Sequence, residues 1–220
     1  MLQSQSIRSV LLVSTLSLGL AACDSAQDLA GDLANAAGAG EMNIADGHDV
    51  CFQAAKDKLD ADTKVSEITT MFSAGTDVDA DETLEAGGVE VCNIFYQDPE
   101  DPRKLVGISY NGYTKMFSGP DPVEMSVSGD PEDFNLDDYL IPLSEVDPAP
   151  LAQFMADNKA ALDAKFSAHA WTTVSFEGVG SSFQYRVGYE GRLKSNDIQD
   201  DGFAILAADG TTVVDNNLFD

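Results

Sequence analysis

Basic residues are scarce in this chain: 12 lysines and arginines stand against 38 aspartates and glutamates, a formal net charge of −26. That excludes nucleic acid as a partner, because phosphate binding needs basic patches. Histidine is rarer still, with His48 and His169 far apart. A zinc site needs three or four clustered ligands, and two isolated histidines with three cysteines and no CxxC pair do not supply them. There is no G-x-S-x-G elbow to carry a serine nucleophile. Gly178-Val-Gly-Ser-Ser-Phe183 lacks the third glycine of a phosphate loop and lies between two β-rich runs, so it reads as a hairpin turn. No apolar run approaches the roughly 20 residues that a membrane-crossing helix requires.

What is present begins at the amino terminus. Residues 1–8 contain no acid, and Arg8 adds positive charge to the amino group. Val10 to Leu20 is apolar except for Ser14, Thr15, Ser17 and Gly19, the length of a signal-peptide apolar region. Small residues follow in Leu20-Ala21-Ala22-Cys23. This tetrad resembles the lipobox of bacterial lipoproteins. The resemblance covers residues 1–23 alone. It implies cleavage after Ala22, diacylglycerol on the Cys23 thiol, acylation of the new amino terminus, and a cell-membrane address facing the periplasm. Each buried methylene of such a lipid contributes roughly 0.8 kcal/mol to anchoring. In the enterobacterial pattern of this class, Asp24 implies retention in the inner membrane. Sorting differs between bacterial groups, and the outer membrane stays open.

Loss of residues 1–22 removes Arg8 and no acid, leaving a mature chain with a charge of −27. Such a surface resists association and favours solubility; the sharper alternative is a surface for cations or a basic partner. Cys51 and Cys92 remain after Cys23. An exported domain sits in an oxidising compartment, where an even set of cysteines pairs. A Cys51–Cys92 disulfide is expected, the alternative being two buried thiols.

Residues 1–22 are thus read as signal peptide, 23–47 as a small, polar, flexible tether, and 48–220 as a domain with subunits at 48–130 and 145–220. Val50, Cys51, Ala54, Ala55 and Leu59 form a helical stripe, and Val65, Ile68, Met71 and Phe72 another. Residues 73–88 are an acidic, glycine-punctuated loop. Strands are expected at Val89–Tyr96, Leu105–Tyr110, Tyr113–Phe117 and Val123–Val127. A helix led by Asp147 and Pro148 buries Leu151, Phe154, Met155, Leu162 and Phe166. Strands resume at Trp171–Glu177, Phe183–Tyr189 and Phe203–Ala207, then turn at Asp209-Gly210 into Thr211–Val214. The order, helix then strands, twice, points to an α+β class with helices packed on antiparallel sheet, arranged either as two helix-then-strands units or as one continuous sheet spanning both halves.

Candidate chemistry is thin, and neither a catalytic residue nor a cofactor is assigned. Asp77, Asp79 and Asp81 alternate as Ca²⁺ ligands do and resemble the opening of an EF-hand loop. Glu82 stands where that loop needs glycine, and Gly88 where it needs the closing glutamate. A solvated acidic loop is the plainer reading. Trp171, Phe176, Phe183, Tyr185 and Tyr189 are read as sheet core, with an aromatic surface for sugar or peptide as the alternative. The expected function is a membrane-anchored envelope lipoprotein, held by lipid on Cys23, whose non-catalytic domain binds another envelope protein or ligand. The alternatives are a glycan hydrolase using two carboxylates, and an inhibitor or sensor module acting on a secreted hydrolase.

Overall fold

A computed structural model describes residues 40–126, 130–179 and 182–219; Cys23, Asp24 and the leader lie outside them. Helix α1 spans Val50–Lys58 and α2 spans Leu151–Lys165. The strands are β1 Lys64–Phe72, β2 Val89–Gln97, β3 Leu105–Asn111, β4 Met116–Val123, β5 Ile141–Pro142, β6 Phe166–Val179, β7 Ser182–Leu193, β8 Gln199–Ala207 and β9 Val213–Asn216. They form one antiparallel sheet in the order β4-β3-β2-β1-β6-β7-β8-β9, with β5 paired to the start of β1.

The expected α+β class is therefore corrected, and of the two arrangements left open the one continuous sheet is found. The described chain is mostly a nine-stranded antiparallel sheet with two short helices, of 9 and 15 residues. The β1–β6 ladder, from Glu67↔Glu177 to Met71↔Thr173, joins both halves into a single sheet.

The largest local correction is Lys64–Phe72, expected as a helix and found as β1. Ser66 is an extra residue, because Val65 opposes Tyr96 while Glu67 opposes Phe95. That bulge puts Val65 and Ile68, three apart, on one face, imitating helical spacing. From Ile68 onward the strand alternates normally, with Ile68, Thr70 and Phe72 buried. β-Branched Val65, Ile68, Thr69 and Thr70 also favour extended backbone.

At the far edge, the expected strands Tyr113–Phe117 and Val123–Val127 are replaced by β4, which runs through Pro120 and Pro122. Proline lacks an N–H to donate, and an edge strand tolerates that because one side faces no partner. Residue 127 lies outside the described residues.

One sheet face carries the core. Ile68, Phe72, Cys92, Ile94, Tyr110, Val174, Phe176, Tyr185, Val187 and Leu206 are buried there, beneath Phe52 and Ala55 of α1 and Leu151 and Leu162 of α2. Cys51 and Cys92 form the expected disulfide, tying α1 to β2. The chain reaches α1 along the sheet margin: Tyr110 Oη donates to Gly40 O at 3.0 Å, and Val89 N to Met42 O at 2.9 Å.

Candidate functional site

The face opposite the helices is the candidate site. Paired residues of an antiparallel ladder point to the same side, so the registers define rows crossing the whole sheet. The central row runs Ser118, Ser109, Asn93, Thr69, Ser175, Arg186, Ile205 and Asp215. On one side lies Met116, Asn111, Val91, Met71, Thr173, Gly188 and Phe203. On the other lie Phe95, Glu67, Glu177 and Gln184. Short hydroxyl and amide side chains thus fill the centre, with half-exposed apolar ones beside them; Met71 is 45% exposed and Met116 40%. Neither α1 nor α2 packs on this face; at one end a small apolar cluster around Leu105 lies against it, and the polar and half-exposed rows beyond that end can meet a partner.

Glu67 and Glu177 occupy directly opposed positions on β1 and β6. Thr69 Oγ1 donates to Glu67 Oε1 at 2.8 Å, and Gln184 Nε2 to Glu177 Oε1 at 3.1 Å. Burial, the largest cause, pushes the Glu67 carboxyl above its ordinary range; the Thr69 hydrogen bond opposes this and the charge of Glu177 reinforces it. Beside the pair, Leu105, Leu136 and Leu140 form a small apolar cluster with Val123 and Phe134. Between the two lies a cavity of about 510 Å³, lined by Glu67, Glu177, Phe95, Leu105, Phe134 and Tyr139 among others. Phe134 and Tyr139 stack with centroids 5.3 Å apart.

A second acidic group sits where the 73–88 loop meets the sheet. Glu90, the extra residue opposite Met71 and Phe72, is pushed up to about 7, first by burial and then by the hydrogen bond and charge of Glu82, with Glu190 and Asp79 adding to it. Ser73 Oγ donates to Glu82 at 2.9 Å. Arg192 Nε donates to Val78 O at 2.5 Å and holds the loop to β7.

The candidate Ca²⁺ ligands lie in this loop. Asp77 and Asp81 are exposed, while Asp79 Oδ1 accepts the Asp81 amide at 3.0 Å. Among the described residues no three of histidine, cysteine, aspartate or glutamate gather as a metal-holding group. Of the aromatics, Phe176, Tyr185 and Tyr189 are buried, and Trp171 and Phe183 pack against the same core. His48 Nε2 donates to Pro148 O at 2.9 Å, and His169 Nε2 to Asp163 at 2.8 Å. Among the described residues no helix is long and apolar enough to cross a membrane.

Sequence reasoning did not single out Glu67 or Glu177. Each alternates with buried neighbours, Ile68 and Phe176, which marks an outward strand position. Only the β1–β6 register puts them side by side.

No family model and no curated protein matches this chain. Among solved structures, a candidate lipoprotein of Clostridium difficile 630 is similar with a TM-score of 0.38 and 11% identity, covering 80% of this chain and 92% of that one. A likeness at that level carries no argument about fold or function.

Proposed function

We propose that this chain is a lipid-anchored accessory protein of the bacterial cell envelope whose sheet face opposite the helices binds a basic protein. The lipobox resemblance at Leu20–Cys23 supports the anchor. The observation that carries the binding role is the breadth of that face. Its rows of serine, threonine and asparagine offer hydrogen bonds, Met71, Met116 and Phe95 offer apolar contact, and a chain of net charge −26 favours a partner of opposite sign.

Two measurements test this. Labelled palmitate should enter the full-length chain and not its Cys23→Ala variant; equal labelling of both removes the anchor. Full-length protein captured from native membranes should bring down one defined basic envelope protein, released at about 1 M salt, where the screening length is about 3 Å. A Met71→Arg/Met116→Arg variant, both positions being exposed, should lose that protein and keep its melting temperature. Retention of the partner by this variant would exclude the face.

Glycan hydrolysis by a carboxylate pair is the second reading, favoured by Glu67 and Glu177 alone. Retaining glycosidases hold two carboxyl groups about 5–5.5 Å apart, one with a raised pKa. Release of reducing sugar from peptidoglycan, abolished by Glu177→Gln, would establish it; no release by the parent chain removes it.

A further inference from the structure

Like charges directly opposed across a ladder are destabilising, and among the described residues no cation offsets the charges of Glu67 and Glu177. Among the described residues no lysine, arginine or histidine lies within 4.0 Å of either carboxylate. Their hydrogen-bond partners, Thr69 and Gln184, are neutral. Lys64, the nearest cation in sequence to Glu67, is paired with Asp137 at 2.7 Å instead. Both glutamates are half-buried at the wall of the cavity, where solvent screens them less than at an open surface. A fold that keeps such a cost at a binding face has a use for it in the bound state.

The remaining walls narrow the chemistry. Leu105, Leu136 and Val123 supply an apolar floor, which fits methylene groups. The stacked Phe134–Tyr139 pair supplies aromatic faces, to which a guanidinium is attracted. A volume of about 510 Å³ lies within the range of small-ligand sites, about 300–1,000 Å³, and admits one long side chain. A planar fork of N–H donors meets two carboxylates better than a point charge does.

We propose that this cavity receives a single arginine side chain of the basic partner, its guanidinium between Glu67 and Glu177 and beside Tyr139, its methylene stem along Leu105, Val123 and Leu136. This rests on the docking role of the sheet face and names the anchor within it.

The test uses the full-length protein in nanodiscs and two blocked tripeptides, acetyl-Gly-Arg-Gly-amide and the same peptide with neutral citrulline in place of arginine, followed by NMR. The arginine peptide should shift the amides of Glu67, Gly178 and Tyr139 and bind at least tenfold more tightly than the citrulline peptide. Glu67→Gln/Glu177→Gln should reduce arginine-peptide binding at least tenfold, with a melting temperature equal to or above that of the parent. Equal binding of the two peptides, or an unchanged affinity in the double variant, overturns the inference. Capture from membranes separates the two levels. A partner lost by Met71→Arg/Met116→Arg and kept by Glu67→Gln/Glu177→Gln sinks the arginine anchor and leaves the docking face standing; a partner kept by both sinks the docking face itself.

Discussion

Cys51 on α1 is bonded to Cys92 on β2, with Cα atoms 5.6 Å apart and 41 positions between them in sequence. The bond fixes the helix over the strand that β1 and β3 flank. Its loss frees a long loop in the unfolded chain. The Cys51→Ala/Cys92→Ala variant should be destabilised by about 2–4 kcal/mol. At about 2–4 °C per kcal/mol for a domain of this size, calorimetry should record a fall of roughly 5–15 °C. A parent chain unaffected by reductant would contradict this.

Glu90 makes stability depend on pH. Its carboxyl rises from the ordinary 4.5 to about 7 in the folded chain, with burial the largest cause and Glu82 next. The folded state therefore holds more protons than the unfolded one between those values. Stability should be greatest at the acid side of this window, decline as pH rises from about 4.5 to about 7, and level off above. The group is half-exposed, so solvent screening keeps the effect small. Glu90→Gln can still donate to Glu82 and should raise the melting temperature at pH 8, with little change at pH 4.

Gly112 follows β3, and its N–H donates to Glu90 O at 2.8 Å. A Cβ there would meet Val89 O at 2.0 Å. Both groups belong to backbone tied into the sheet, so neither yields easily. Gly112→Ala should cost about 1–3 kcal/mol, as overpacking does. Urea titration should show a lower midpoint at unchanged slope.

Tyr189 Oη donates to Leu218 O at 2.6 Å, and Leu218 is buried in the main core. Burial pushes the phenol up to about 12, with Asp200 and Asp201 adding to the rise, so it remains a donor across the neutral range. Tyr189→Phe should cost about 0.5–1.5 kcal/mol. Amide exchange should quicken from Val213 to Leu218 while β6 and β1 keep their protection. Uniform quickening would mean that the bond supports more than the carboxyl-terminal segment.

Much of the fold was legible where local signals agree. Val89–Gln97 and Leu105–Asn111 pair as the hairpin that Asp98-Pro99 and Asp101-Pro102 between them suggest. Leu151–Lys165 is the helix that Leu151, Met155 and Leu162 describe, but it begins after Pro150 and not at Asp147-Pro148, and Phe166 opens β6 instead of ending the helix. Lys64–Phe72 was misread because the Ser66 bulge reproduces helical spacing over its first residues. Pro120 and Pro122 suggested an interruption where an edge strand simply lacks a partner for them.

The acidity of the chain, the resemblance of residues 1–23 to an export signal with a lipobox, the expected pairing of Cys51 with Cys92 and most strand segments could be read directly from the residues, because these depend on composition or on residues near one another in the chain. That one sheet unites both halves, that both α-helices pack on one of its faces, and that Glu67 stands opposite Glu177 came only with the folded chain. Those are matters of register between distant strands, and hydrophobic alternation tells each strand which side to bury without telling it which neighbour to choose.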